Sequence, residues 1–233
     1  MKKGVIIIFF TLISSSLFSQ SGWGTNFDSD FQFLGSRFYF DTIANPNSKW
    51  QIGHPNKAVF DSAYSNPNAL VTDTLNPLSA NDTSIIYIKH YRSYQPFHVF
   101  RPYFIYKMDG SDNDQGIIEV SSDTGKTWIN LLTQDTVYNF GWWPTSKPSL
   151  KGSTNGWQEF NIDMLEWASS LNDPLELIFR FTYITDSSTM NRDGWMIDNM
   201  GFEDWYEGID EIQDDKIISI YPNPSNKELY INI

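Results

Sequence analysis

Three observations predict an all-β fold, an antiparallel β-sandwich, for most of this chain. Aromatic residues make up 16% of the sequence and charged residues 19%, a balance that suits strands better than long helices. Several runs alternate apolar and polar residues, with Gly, Pro, Asn and Asp between them. Sustained helical periodicity is absent outside residues 164–170. Short strands separated by such turns are typical of sandwiches.

Five runs predict strands in the first half of the chain: residues 30–33, 49–53, 69–72, 84–94 and 97–108. The first run alternates Asp, Phe, Gln and Phe, and the second centres on Trp50. Proline has no N–H to donate to a neighbouring strand. Pro102 therefore predicts a sheet edge or a bulge within the fifth run.

The second half contains the clearest local motif, a hairpin. Residues 117–121 and 127–132 flank a polar bend that contains Gly125. Further strands are predicted at residues 156–162, 175–184 and 194–202. One or two helical turns are predicted at 164–170, and residues 133–155 form a long loop.

Both ends of the chain carry targeting patterns. Residues 1–20 begin with two lysines, continue as a short apolar run and end in small residues, which predicts a Sec signal peptide. The run falls short of the roughly 20 apolar residues that span a bilayer, so no membrane span is expected after its removal. The predicted domains are the signal peptide at 1–20, the sandwich at 21–202, an acidic linker at 203–216 and a further β segment at 217–233.

The net charge of −12 and the absence of cysteine restrict the function. Nucleic acid is not expected as a partner, because phosphates need Lys and Arg for neutralisation. Without cysteine the chain has no lipoprotein anchor, no disulfide and no thiolate metal site. The acidity is compatible with Ca²⁺ and with uncharged ligands such as sugars, and it also favours solubility by itself.

The C-terminal segment carries a compact motif. Tyr221, Pro222, Asn223 and Pro224 follow the acidic linker and precede the Leu-Tyr-Ile sequence at 229–231. This segment resembles the opening of the type IX secretion C-terminal sorting domain of Bacteroidetes. The resemblance implies recognition of these residues by the type IX secretion machinery, and a protein that is secreted or held on the outer cell surface. The family's domain continues for several further strands, so we expect the natural protein to extend beyond this sequence.

Four further motifs occur in order between residues 49 and 202. They are Trp50-Gln51-Ile52-Gly53 before Pro55, the segment from Ile118 to Trp128, Gly156-Trp157 before Asp163, and Phe179-Arg180-Phe181 leading to Gly194-Trp195-Met196-Ile197-Asp198-Asn199. Together they resemble the MAM-like jelly-roll modules of secreted bacterial proteins, which occur beside peptidases and in surface adhesins. The resemblance implies a jelly-roll fold, which does not by itself fix a function. The tryptophans inside these motifs are assigned to packing: Trp50, Trp128, Trp157 and Trp195.

Residues that would support catalysis are sparse. The three histidines form no His-x-x-x-His pair and no Gly-x-Ser-x-Gly sequence occurs, so neither a zinc hydrolase nor an α/β-hydrolase is indicated. Glycoside hydrolysis needs two carboxylates that are close in space rather than in sequence. Glu119, Glu159 and Glu176 on predicted strands leave that alternative open.

Acidic residues in two places predict a structural Ca²⁺ site, because Ca²⁺ prefers oxygen ligands. Three of them lie in one polar loop: Asp109, Asp112 and Asp114. Asp198 lies in the last long predicted strand, where Asp28 or Asp30 would supply the opposing ligand. The alternative is turn chemistry, since Asp bends and caps loops without an ion.

Trp142 and Trp143 are the candidate ligand-binding residues. They precede Pro144 in the long loop, where two adjacent indole rings would offer an exposed platform. Sugars stack on aromatic faces because their C–H groups meet the negative face of the ring. The alternative is that both side chains close one end of the sandwich.

These observations predict a non-catalytic binding or adhesion module for a glycan or an extracellular protein. Two alternatives remain open at the level of sequence. A secreted hydrolase or peptidase accessory domain would need facing carboxylates in a cleft. A structural spacer that presents the sorting signal would have a smooth surface.

Overall fold

The computed structural model describes residues 22–28, 31–92, 99–143, 146–172 and 175–205, and the backbone of 219–221 and 230–232. The main body is an all-β, antiparallel jelly-roll sandwich that lies within residues 18–206. In chain order its elements are β1 Trp23–Thr25, α1 Phe31–Arg37, β2 Phe38–Tyr39, β3 Trp50–Gly53, β4 Ala69–Thr72, β5 Thr83–Arg92, β6 Val99–Asp109, β7 Gln115–Ser121, β8 Ile129–Asn130, β9 Gly141–Trp142, β10 Gln158–Asp163, α2 Leu165–Ser169, β11 Leu175–Ile184 and β12 Gly194–Trp205.

The strands form two sheets that face each other. The seven-stranded sheet has the order β3-β4-β12-β6-β10-β9, with β1 beside β12. The five-stranded sheet has the order β2-β5-β11-β7-β8. The successive strands β4, β5, β6 and β7 alternate between the sheets, which is the jelly-roll connection and leaves all ladders antiparallel.

The core between the sheets is strongly aromatic. Phe181 of the smaller sheet meets Phe104 and Trp195 of the larger one, with ring centroids 5.6 and 5.8 Å apart. Phe104 also stacks on Phe160 at 4.4 Å. All four side chains are buried, so the high aromatic content largely serves this core.

The predicted strands are confirmed with one exception. The alternating run at 175–184 is β11 from end to end, and the predicted hairpin is β7 and β8, with Glu119 opposite Asn130. The short helix predicted at 164–170 is α2. Trp142, expected in a loop, lies in β9, which pairs with β10.

The strand predicted at 30–33 is wrong, because the chain forms α1 there. Leu34 and Phe38 are four residues apart and both are buried. One helical turn brings both side chains to the core, whereas a strand would point them to the same face some 13 Å apart. The strand begins only at Phe38, where β2 pairs with β5.

Pro102 lies in an interior strand rather than at a sheet edge. Strand β6 has β12 on one side and β10 on the other. The pairing with β10 extends only from Tyr103 to Tyr106, so it does not include Pro102. The neighbouring register shift lies in β12, between Asp198 and Gly201. Pro102 itself is paired on one side only, with Phe202 of β12, so its missing N–H interrupts no ladder with β10.

The C-terminal part is described by itself. Strands β13 Ser219–Tyr221 and β14 Tyr230–Asn232 form a two-stranded antiparallel hairpin in which Tyr221 is opposite Tyr230. Pro222, Asn223 and Pro224 of the sorting motif lie outside the described residues, as do residues 1–21. Within the described ranges, no helix has the length and apolar character to cross a bilayer.

Candidate functional site

The candidate site is the outer face of the five-stranded sheet. Alternation along β5 and β11 buries Ile86, Ile88 and Phe179 and leaves the intervening side chains outside. The register places Tyr39 opposite Tyr87, Tyr87 opposite Arg180, and Arg180 opposite Glu119. Because Glu119 is in turn opposite Asn130, one row of side chains crosses the whole sheet.

Three rings form what we call the aromatic row: Tyr39, Tyr87 and Trp128. The centroids of Tyr39 and Tyr87 are 6.2 Å apart with planes inclined by 39°. Tyr87 and Trp128 are 6.1 Å apart with planes inclined by 43°. Tyr39 is 50% exposed. The row lines an open cavity of about 320 Å³, together with Asp41, Lys89, Thr124, Gly125 and Ile178.

Trp128 is held on the sheet face by the bend between β7 and β8. Its Nε1 donates a hydrogen bond to the carbonyl oxygen of Gly125, at 3.1 Å. Asp123 organises the bend by accepting hydrogen bonds from the backbone N–H groups of Thr127 and Lys126, at 2.9 and 3.1 Å. The Thr127 donors, backbone first and then hydroxyl, lower the pKa of Asp123 to about 2. The bend is therefore fixed by a carboxylate that stays ionised near neutral pH.

Two basic side chains beside the row, Arg180 and Lys89, are paired with carboxylates. The guanidinium of Arg180 lies over the Trp128 ring, 4.1 Å from its centroid, and bonds Glu119 through Nη2 at 2.6 Å and Nε at 2.8 Å. Lys89 Nζ lies 3.1 Å from Glu176 Oε1. Arg180 thus helps to hold one face of the Trp128 ring while its charge is compensated by Glu119.

Part of the outer face of the larger sheet, over β4 and β12, is covered by a loop. Residues 55–68, which we call the covering loop, place Phe60 and Ala63 on Val71 and Met196, and all four are buried. Asp193 Oδ2 accepts the N–H groups of Val59 and Phe60, at 2.6 and 2.8 Å. These bonds hold the loop on this part of the sheet, so the open aromatic face belongs to the smaller sheet.

The structure places the two predicted ligand-binding tryptophans differently from each other. Trp142 is half-buried, with its ring edge on Phe160 at 5.4 Å and its Nε1 donating to Asp135 Oδ2 at 3.0 Å. Trp143 is 61% exposed. The two side chains therefore do not present one shared platform, although Trp143 remains open to solvent.

The loop with three predicted calcium ligands is a network of hydrogen bonds. Asp114 Oδ1 accepts from the Asp186 N–H and the Thr189 hydroxyl, at 2.8 and 2.6 Å. Asp109 Oδ2 accepts the Asp193 N–H at 2.9 Å, and its Oδ1 pairs with Arg192 at 3.2 Å. Asp112 is exposed. Asp109 and Asp114 therefore tie neighbouring loops together, and Ca²⁺ binding by this loop stays a prediction.

Asp28 and Asp198 lie near each other, as the calcium prediction required. Asp198 accepts the Ser65 N–H and hydroxyl at 2.7 and 2.9 Å, and Asp28 accepts the Asn68 N–H at 2.8 Å. Burial and, less strongly, the Asp28 charge raise the pKa of Asp198 against these donors. Asp30 lies outside the described residues. In the part of the chain that is described, no cluster of three or more His, Cys, Asp or Glu side chains is arranged to hold a metal ion.

Two of the three carboxylates considered for glycoside hydrolysis are engaged in ion pairs. Glu119 and Glu176 are on the open face but each forms an ion pair, with Arg180 and Lys89. The buried His90 accepts a hydrogen bond from Trp23 Nε1 at 3.1 Å and bonds Asp204 at 3.0 Å. His90 therefore belongs to the core and not to a solvent-accessible site.

Sequence reasoning assigned Trp128 to packing and did not identify the aromatic row. The available signal was the outward phase of β5, in which Tyr87, Lys89 and Tyr91 alternate with buried residues. A strand that carries two tyrosines on its solvent side indicates an aromatic surface. The neighbouring rings come from distant segments, so their proximity depends on strand order.

Comparisons with known proteins give no family assignment. No family model matches the chain, and no curated protein matches it. Among solved structures, the chain is similar to a non-crystalline cellulose specific carbohydrate-binding module, CBM28, at 12% identity and a TM-score of 0.35, over 66% of this chain and 79% of that one. It is also similar to the family 30 carbohydrate-binding module of a cellulosomal cellulase of Clostridium thermocellum, at 9% identity and a TM-score of 0.35, over 78% and 91%. At such values the ligand must be argued from this chain's own residues.

Proposed function

We propose that the chain is a non-catalytic binding module that holds a glycan against the aromatic row. The main support for this proposal is that three aromatic rings, Tyr39, Tyr87 and Trp128, lie in a line on an open sheet face. Aromatic rings fixed by packing bind sugars with little loss of conformational entropy. Here Trp128 is fixed by Gly125 and Arg180 before any ligand arrives.

The export part of the proposal rests on the sequence motifs. The Sec signal at 1–20 and the Tyr221–Pro224 motif support a protein secreted by the type IX route, with the MAM-like sandwich as its cargo. A glycan-binding module fits that location, because polysaccharides lie outside the cell. Fractionation of the native host, comparing the natural protein with one that lacks residues 217–233, tests the route through the amount that reaches the medium or outer surface.

The binding proposal is tested with alanine variants of the aromatic row. Trp128→Ala should weaken the binding of a glycan selected from an array by at least about tenfold, equivalent to about 1.4 kcal/mol. Trp143→Ala is the control, because it removes a ring of the same size that is 61% exposed and lies outside the row. Isothermal titration calorimetry gives both affinities, and the fluorescence of the remaining tryptophans verifies folding.

Two results would contradict the proposal. Binding that is unaffected by Trp128→Ala but lost in Trp143→Ala would move the site to the 142–143 segment. Release of reducing sugars from the bound glycan would favour the hydrolase alternative, whose open-face carboxylates Glu119 and Glu176 are engaged in ion pairs. The structural-spacer alternative predicts no glycan binding at all.

A further inference from the structure

We infer that the aromatic row selects a single uncharged glycan chain, and that the ion pairs bordering the row exclude acidic polysaccharides. This inference rests on the proposed function. It names the ligand class from the charge and the ring geometry of the same face.

The positive charges beside the aromatic row are already neutralised by glutamates. Lys89 lines the cavity and Arg180 lies over the Trp128 ring, and Glu176 and Glu119 neutralise them at 3.1 and 2.6 Å. A sugar carboxylate or sulfate would have to displace a neighbouring carboxylate to gain either cation. Displacement leaves that glutamate without its partner, so the exchange yields little net energy.

Acidic side chains surround the cavity that the aromatic row lines. Asp41 lines the cavity, and its Oδ1 is turned into its own loop by the Ile43 and Ala44 N–H groups, at 3.1 and 2.8 Å. Asp123 stays ionised in the bend that carries Trp128. The whole chain has a net charge of −12. An anionic polymer is therefore repelled both locally and at longer range.

The three rings of the aromatic row are inclined to one another and do not form a flat surface. Successive planes along the row turn by 39° and 43°. A flat array of parallel chains, as on a crystalline particle, would lie flush on one ring and lose contact with the next. A single chain that rotates between successive sugars can meet each ring in turn, so about three stacked sugar rings fit the row.

The test uses pairs of soluble polymers that share a backbone and differ in charge. The pairs are hydroxyethyl cellulose with carboxymethyl cellulose, and dextran with dextran sulfate. Microcrystalline cellulose and chitin particles provide flat surfaces. Native affinity electrophoresis of the full chain measures binding to the soluble polymers, and depletion of the protein from solution measures binding to the particles. Binding to a neutral polymer should be at least tenfold tighter than binding to its charged partner or to the particles, and it should be weakened by Trp128→Ala.

A second variant tests the role of the ion pair. Lys89 and Glu176 are exposed by 39% and 38%, so Glu176→Gln should fold normally. It frees Lys89 and should raise the ratio of charged to neutral binding at least fivefold at low salt. The matched control is Glu159→Gln, which removes a carboxylate from β10 in the other sheet.

The outcomes separate the inference from the proposed function. Equal or tighter binding to a charged polymer or to particles, through Trp128, overturns the inference and keeps the glycan site. An unchanged ratio in Glu176→Gln also contradicts it. Failure to bind any of the polymers or particles counts against the proposed function itself, and the inference falls with it.

Discussion

At the scale of single residues, the site depends on backbone conformations that the bend between β7 and β8 imposes. Thr124 and Gly125 have φ angles of +61° and +87°. The left-handed region is costly for residues with a Cβ, and more so for a β-branched one. The bend accepts this strain at the turn that supplies Trp128, a location typical of ligand-binding segments.

Gly125→Ala tests this requirement. A Cβ at Gly125 would add left-handed strain and would lie 3.4 Å from Trp128 Cζ2. We expect a loss of about 1–2 kcal/mol in the free energy of unfolding, measured by urea denaturation. Gly35→Ala in α1 is the control, where nothing lies within 4 Å of the added Cβ. It should gain about 0.5–1 kcal/mol. Equal effects of the two changes would contradict this account.

Asp123 gives the bend a defined pH dependence. Its folded pKa of about 2 lies below the unfolded value of about 3.9. The stabilisation is therefore fully present above about pH 4 and is lost as the pH falls through about 2. Asp123→Asn should be less stable than wild type at pH 7, with the difference shrinking below pH 4. A difference that stays constant from pH 7 to pH 2 would rule out this carboxylate as the cause.

At the scale of elements, aspartates on and beside β12 fix the covering loop. Asp193 is 2% exposed and accepts two loop N–H groups, while Lys57 Nζ donates to the carbonyl oxygens of Thr72 and Asp193. Burial lowers the pKa of Lys57 to about 8 despite the nearby Asp193 charge. The loop is thus attached by charge-assisted hydrogen bonds as well as by Phe60.

Asp193→Ala should lower the free energy of unfolding by about 3 kcal/mol, because two buried N–H groups lose a charged acceptor. Asp61→Ala, in the exposed part of the same loop, is the control and should change stability by less than about 0.5 kcal/mol. Urea denaturation measures both. Glycan affinity should be unchanged in each variant, since the loop lies on the other sheet. Similar losses of stability in the two variants would contradict the proposed attachment of the covering loop by Asp193.

Element prediction succeeded where alternation is regular and failed where packing decides. The pattern at 175–184 gave β11 because every second side chain faces the core. The alternating Phe residues within α1 suggested a strand, since a local pattern does not show that Leu34 and Phe38 are both buried in the core. The covering loop was also unpredictable, because Phe60 finds its partners in distant strands.

At the scale of the whole molecule, the jelly roll produces one sheet whose outer face is partly covered by a loop and one sheet whose outer face carries the aromatic row. Sequence motifs predicted this fold class, but the aromatic row depends on the order β2-β5-β11-β7-β8. Strand order is a property of long-range pairing, so local patterns could not place Trp128 in one row with Tyr87 and Tyr39. Trp142 and Trp143 were selected as candidates because they are consecutive in the sequence, whereas the sequence does not show which aromatic residues are neighbours in the folded structure.

The structural calcium prediction is also tested on the whole molecule. Asp28 and Asp198 supply two carboxylates, so the remaining ligands of an ion that takes six to eight oxygens would be carbonyl groups and water. An ion bound only to the folded state should raise the thermal midpoint of residues 21–215 in Ca²⁺ relative to EDTA. Asp198→Asn should remove that shift, whereas Asp112→Asn should keep it. Identical midpoints in Ca²⁺ and EDTA would eliminate this prediction.

The central claim is that the ligand binds on the aromatic row. The most direct measurement is a ¹H–¹⁵N spectrum of the tryptophan indole N–H groups during titration with the selected glycan. The chain has nine tryptophans, and Trp128→Phe and Trp143→Phe assign the two signals that matter. The account predicts that the Trp128 signal moves in proportion to saturation while the Trp143 signal stays in place. Movement of Trp143 with an unchanged Trp128 would contradict it.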